Sequence, residues 1–279
     1  MKKRKLFHNN TFNFHKYAVS RKRNASKDIV KKIACKIRRR FGLYKRLMNE
    51  DNLEALVPLR LTQERKVALN DIYSYKSQAF RELRYILTTD DRNRQSNVCP
   101  CCLLDIVGTL DHIIPQTPFP EFSTNPYNLV PCCFTCNSKK NDDWRKNGIR
   151  TIIDFYIDDI PDIQFLYVRM SVANNLLEID FFLDFPGGYD AVLKLRLEEH
   201  FRKLNLLARY KENVDDVIDE LRIDISTHVD NSLDDDIIKR VIKSKANGYQ
   251  RKFGVNYWKA LLMHNCADDN IIFDYLKNV

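Results

Sequence analysis

From Ser26 onward, apolar side chains recur every four residues. Ile29, Ile33, Ile37 and Phe41 share one face, with Lys31, Lys32, Lys36, Arg38, Arg39 and Arg40 around them. That spacing predicts an amphipathic helix, with Ser26 as its cap and Gly42 as its break. A second helix is expected from Thr62 to Leu87, where Leu69, Ile72, Tyr73, Phe80, Leu83, Ile86 and Leu87 supply the apolar face, and the polar segment 88–97 ends it. Ahead of both, residues 1–24 mix Phe7, Phe12, Phe14 and Tyr17 with basic side chains and show no period, which reads as a basic flexible arm.

Past residue 97 the pattern changes. Residues 110–115 and 128–130 read as two short strands separated by a loop with Pro118, Pro120 and Pro126, and a helix opens near Asn137, giving a β-β-α order. A helix is expected around residues 149–157. A hairpin should follow, in which Leu166, Val168, Met170 and Val172 alternate on one strand and Leu177, Ile179, Phe181, Leu183 and Phe185 on the next. Asn174-Asn175 would form its turn, because asparagine tolerates positive φ. From Tyr189 the pattern is helical. The expected fold class is therefore α+β: a mainly helical chain with a central ββα module and a C-terminal β-hairpin plus helices. Four segments are expected: a basic arm (1–24), a basic helical DNA-contacting region (25–96), the ββα module (97–150) and an acidic α+β domain (151–279) that serves as scaffold, dimer contact or partner interface.

Charge sharpens this division. Residues 1–50 hold 17 Lys and Arg against only Asp28 and Glu50, so they carry +15 in a chain whose total is +9, and the remainder is net acidic. Such a concentrated positive field suits a polyphosphate partner, whose counterions are released on binding. No apolar run approaches the roughly 18 residues of a membrane span, and the basic N-terminus lacks the apolar core of about 7 to 15 residues that a secretory signal needs. A reducing, cytoplasmic setting is the expectation.

Six of the eight cysteines fall between positions 99 and 136, which favours a metal over a disulfide framework. A C-x2-C knuckle sets two thiolates on one tight turn, as a tetrahedral ion requires. Cys99 with Cys102 and Cys133 with Cys136 meet that spacing, whereas Cys101 and Cys132 have no partner at it. The expected site is a closed four-cysteine structural zinc, with Cys101 and Cys132 as bystanders.

Between the knuckles the motifs C-P-x-C, L-D-H-I-I-P and N-L-V-x-x-C-x-x-C-N with its trailing lysines occur in an order that resembles the HNH endonucleases, the ββα-metal nucleases, in their zinc-stapled form. The resemblance covers about 45 of 279 residues. It implies that His112 is a general base, and that Asp111 and Asn137 hold one hydrolytic Mg2+ or Mn2+, with Asn141 as the alternative to Asn137. It further implies that Asn128 ties the loop and orients His112, and that Lys139 and Lys140 could touch phosphate. Adjacent strand residues point to opposite faces, so a distorted strand end is expected at Asp111 and His112. The implied activity is hydrolysis of DNA, most readily duplex DNA, in a restriction, anti-phage defence or mobile-element setting. The competing readings are a non-catalytic zinc module that binds nucleic acid, and a nuclease directed at RNA.

Overall fold

A computed structural model describes residues 1–90 and 93–278. The chain divides into two compact units. One comprises Lys3–Asp159 with Leu195–His200, and the other Met1–Lys2, Ile160–Lys194 and Phe201–Val279. Apart from Met1 and Lys2, the expected basic arm, basic helices and ββα segment thus share one unit.

That unit begins with α1 (Thr11–Ser20), which corrects the reading of residues 1–24 as an arm without structure. Asn10 caps the helix by accepting the backbone N–H of Asn13 at 3.0 Å. His15, Ala18 and Val19 are buried, and the aromatics turn inward: Phe14 meets Phe80 edge-on at 5.4 Å and Phe12 meets Phe41 at 6.3 Å. The single helix expected from Ser26 to Gly42 is two, α2 (Ser26–Lys32) and α3 (Ala34–Asn49), which bend at Ile33 and not at the glycine. The bend keeps Val30, Ile33 and Ile37 all in the core. Gly42 sits exposed inside α3, where glycine costs about 1 kcal/mol relative to alanine but does not end a packed helix. Lys31, Lys32, Lys36, Arg38 and Arg39 are solvent-exposed. Arg40 is not part of that field, because its guanidinium donates to the Val57 carbonyl at 2.6 Å and to the buried Glu121 carboxylate at 2.9 Å.

The helix expected over Thr62–Leu87 is likewise divided into α4 (Gln63–Ile72), capped by Thr62, and α5 (Gln78–Thr88). The chain leaves the helical path at Tyr73, whose hydroxyl donates to the Leu110 carbonyl. β1 (Thr109–His112) then pairs antiparallel with β2 (Leu129–Cys132), and α6 (Phe134–Lys140) completes the ββα order.

No helix forms over 149–157. Arg145–Lys146 (β3) pairs instead with Ile149–Arg150 (β4) around Asn147 and Gly148, both at positive φ. Asn-Gly is a strong signal for a two-residue hairpin, and it outweighs the helical spacing read there. Arg150 is fully buried and grips Asp158 through two hydrogen bonds of 2.6 and 2.7 Å, and Arg196 adds bonds to Asp158 and Asp51.

Asp154 lies beside this network, fully buried, and accepts the Tyr156 N–H at 2.9 Å. Burial, only partly opposed by Arg150, raises its carboxyl to about 7. A folded pKa above the unfolded value means that the native state binds more protons between pH 4 and 7, so stability is full below that window and declines through it. Asp154→Asn is expected to remove a slope on the order of 4 kcal/mol between pH 4 and 7. Urea melts of both proteins at several pH values measure it, and parallel curves would contradict the assignment.

The second unit holds the hairpin β5 (Leu166–Ala173) and β6 (Leu176–Leu183), with Asn174 and Asn175 at positive φ in the turn. The register pairs Leu166 with Leu183, Val168 with Phe181 and Met170 with Ile179, so the alternating apolar residues share one face as the sequence predicted. It continues through α7 (Ala191–Leu204), whose residues 195–200 belong to the first unit, then α8 (Leu206–Lys211), α9 (Asp215–Asp230), α10 (Asp235–Phe253), α11 (Trp258–Asp268) and α12 (Asn270–Asn278). Tyr210 stacks on Trp258 at 5.6 Å in its core. Among the described residues, no helix is long and apolar enough to cross a membrane.

Candidate active site

The two knuckles bring Cys99, Cys102, Cys133 and Cys136 together, all buried, with their sulfurs within 4.8 Å of one another. Four thiolates about 2.3 Å from a tetrahedral zinc lie roughly 3.8 Å apart. The Cys102 and Cys133 sulfurs are 3.9 Å apart. Backbone N–H groups point at these sulfurs, from Cys133 to Cys99 and from Cys136 to Cys133, each at 3.3 Å. Hydrogen bonds from neighbouring thiols, that of Cys101 foremost for Cys99 and that of Cys102 foremost for Cys133, pull both well below the usual thiol range. Donor set, spacing and burial fit a structural zinc. Cys101 and Cys132 are less remote than their spacing suggested, since their sulfurs lie within 4.8 Å of that of Cys99. They make a group of three with it, and among the described His, Cys, Asp and Glu residues no fourth joins them.

Asp111 and His112 occupy the end of β1, paired regularly with Val130 and Leu129. Both nevertheless line one open cavity of about 580 Å³, together with Asn137, Lys140 and Asn141 of the α6 segment. The strand is not distorted there. The Asp111 carboxylate folds back along it to accept the N–H of His112 at 2.7 Å, which reconciles the pleat with a shared cavity. The His112 ring donates from Nε2 to the Ser123 carbonyl at 3.0 Å and meets the Tyr73 ring at 4.6 Å. With Nε2 committed as donor, Nδ1 is the nitrogen left to accept a proton. Burial lowers the imidazole to about 4 and keeps it neutral.

Asn128 does not line the cavity. It is fully buried beneath the loop, where Oδ1 accepts the Ile114 N–H at 2.7 Å and the Tyr44 hydroxyl at 3.1 Å, while Nδ2 donates to the Ile114 carbonyl at 3.0 Å. The backbone carbonyl of the same residue accepts the Ile113 N–H at 2.9 Å. The loop that follows His112 is thereby clamped on both sides of the amide.

Lys140 differs most from its sequence reading as a phosphate contact. Its side chain is 4% exposed, and its ammonium donates to the His112 carbonyl at 2.6 Å and to Asp111 Oδ1 at 3.4 Å. Burial raises the Asp111 carboxyl, and the charge of Lys140 opposes that rise. Lys139 remains exposed on α6. The sequence singled out Asp111, His112, Asn128 and Asn137, of which Asp111, His112 and Asn137 line the cavity, and gave no local motif for Tyr73, Tyr44 and the Ser123 carbonyl, which contact His112 or Asn128.

Residues 99–143 match the model of the HNH endonuclease family, the span that holds both knuckles and the cavity-lining residues of β1 and α6. Residues 99–143 are therefore an HNH endonuclease domain match whose four cysteines lie together as a possible structural zinc site, and HNH domains are generally nucleases that use divalent metals. The chain is also 35% identical over 120 residues to Protein ea31 of Escherichia phage lambda, a stretch that is 40% of this chain and 39% of that relative. No solved structure matches the chain significantly.

Proposed function

We propose that the protein is an endonuclease that hydrolyses DNA phosphodiester bonds at the cavity formed by β1 and α6. The observation that carries this is the placement of Asp111, His112 and Asn137 around one solvent-open cavity beside a closed cysteine cluster. A non-catalytic zinc module would need the cluster and none of those three side chains.

Asp111 and Asn137, with Asn141 as the alternative to the latter, would hold a single Mg2+ or Mn2+ through oxygen atoms, the donor type that hard cations prefer. When bound, that ion supplies positive charge for the scissile phosphate and the leaving 3′ oxygen. His112 takes the proton of the attacking water at Nδ1, and its bond to the Ser123 carbonyl holds the tautomer and ring orientation. Asn128 acts at a distance from the chemistry, by fixing the loop on which His112 is presented. Lys140 neutralises part of the carboxylate charge of Asp111 before substrate arrives. The exposed cations of α2 and α3 supply a positive surface for the backbone of duplex DNA.

The setting proposed is bacterial or phage, in restriction, anti-phage defence or a mobile element and in the cytoplasm, and the partial similarity to a phage lambda protein supports its phage side alone. The acidic second unit is assigned to scaffolding, self-association or a protein partner.

The experiment is nicking of supercoiled plasmid by the full chain with magnesium, with manganese and with neither, alongside single-stranded DNA and RNA. Metal-dependent conversion of plasmid to open circles is expected. No cleavage of any nucleic acid in any metal would overturn the nuclease reading in favour of a binding module, and cleavage of RNA alone would overturn the choice of DNA.

A further inference from the structure

One wall of the catalytic cavity is aromatic. Tyr73, Tyr75 and Phe134 line it with Asp111, His112 and Asn137. Tyr73 is committed to the Leu110 carbonyl and to the His112 ring. Phe134 is not committed in this way: it opens α6 directly after Cys133 and leaves 55% of its surface exposed. The knuckle itself makes no demand for an aromatic there, since the C-x2-C turn requires only its two cysteines.

The ring is also held in place. A Cβ at Gly108 would lie 2.4 and 2.7 Å from two Phe134 ring carbons, so the ring rests directly on bare glycine backbone. Tyr75 also meets it in a T-shaped contact, with centroids 5.6 Å apart and planes at 69°. Lys76 places its ammonium 5.7 Å from the Tyr75 ring, and Lys76 and Lys139 are both exposed. A seated, solvent-facing aromatic whose neighbouring tyrosine carries a cation is an arrangement that takes a nucleobase on its face and an adjoining phosphate on that charge.

We propose that Phe134, supported by Tyr75 and Gly108, is a stacking shelf for one unpaired nucleobase next to the scissile phosphate. The substrate class is then DNA with a locally unpaired nucleotide at the cleavage point, such as a bulge, a mismatch or a single-stranded stretch beside a duplex. A base inside a regular duplex is covered on both faces by its neighbours and offers nothing to the shelf. An unpaired one is cheap to swing out. This inference rests on the nuclease reading of the cavity and adds the structure of its substrate.

The test uses the full chain with His112→Ala, so that no cleavage occurs, and a DNA duplex carrying a single bulged 2-aminopurine, whose fluorescence falls on stacking. The expected result is quenching on binding and tighter affinity for the bulged than for the fully paired duplex. Phe134→Leu keeps an apolar side chain over Gly108 but has no π face, and Gly108→Ala displaces the ring without altering it. Each should abolish the quench and weaken binding of the bulged duplex roughly 5- to 150-fold, the range that loss of one base–aromatic stack gives. Phe134→Trp should retain both quench and preference. Equal zinc content in all variants establishes that they are folded.

Equal affinity for bulged and paired DNA, absence of binding to the bulged duplex, or a quench that survives Phe134→Leu would each overturn the shelf. The two readings fail separately. If quench and preference appear but the unsubstituted protein cuts no nucleic acid with magnesium or manganese, base stacking on Phe134 stands and the nuclease reading falls. If it cuts bulged and paired DNA at one rate without quenching, the nuclease reading stands and the shelf falls.

Discussion

Replacing His112 with alanine is expected to lower the rate of DNA cleavage by about 10²- to 10⁴-fold, the contribution of a positioned general base. The loss should appear in turnover and leave DNA binding nearly unchanged, because the cations that would hold the backbone are on α2 and α3 and are not touched. The ring does have structural contacts, the Ser123 carbonyl and the Tyr73 ring, so the alanine variant also loses some stability. His112→Gln separates the two effects. It can keep a hydrogen bond to Ser123 and fill most of the space, yet it has no nitrogen that can take up a proton. If His112→Gln matches the parent rate in magnesium, His112 is not the base. If only the alanine variant fails, and its melting temperature has dropped below the assay temperature, the role of His112 is structural.

Replacing Cys133 with serine should release the metal and unfold the surrounding module. Cys133 has two roles at once: its sulfur lies 3.9 Å from that of Cys102, and it caps α6 by accepting the N–H of Cys136. Structural zinc in zinc-finger peptides binds with about 10–16 kcal/mol, comparable to the whole stability of an ordinary domain at about 5–15 kcal/mol. The short β1 and β2 strands and one two-turn helix cannot replace that from burial alone. The expected observations are one zinc per chain in the parent and a large loss of it in Cys133→Ser. Residues 97–150 should also become sensitive to protease, as they should in the parent treated with a strong chelator. Cys101→Ser should keep its zinc, because Cys101 belongs only to the group of three sulfurs around Cys99. A parent protein that purifies without zinc, or a Cys133→Ser variant with unchanged metal and protease resistance, would remove the basis for the staple.

Much of the candidate zinc site was legible in the chain itself. The C-x2-C spacing constrains two sulfurs to one turn whatever surrounds them, so Cys99, Cys102, Cys133 and Cys136 could be chosen from eight cysteines by local geometry. The same is true of the hairpin at Asn174-Asn175, where alternation and turn residue agreed and the register followed. The helices were less faithful. Apolar spacing identified the buried faces but not the bends at Ile33 and Tyr73, because each bend is made by what the side chain reaches across the fold. The omission at residues 149–157 was different in kind. Asn147-Gly148 was a readable turn signal, and a spacing match in the neighbouring residues concealed it.

What the sequence determined by itself was therefore the set of candidate donors: four sulfurs that the fold brings together as a possible zinc site, and the Asp111, His112 and Asn137 groups proposed for a hydrolytic centre. Within each C-x2-C pair, and between Asp111 and His112, the spacing along the chain is short enough to act locally. The tertiary structure alone decided how those groups are held and what shares their cavity. Lys140 beside Asp111, Ser123 behind His112, Phe134 seated on Gly108, and the ion pair of Arg196 with Asp51 across 145 residues of sequence all join positions that no local period relates. Each depends on burial, which removes competing water and lets a single hydrogen bond or ring contact fix an orientation. Burial is a property of the folded chain as a whole.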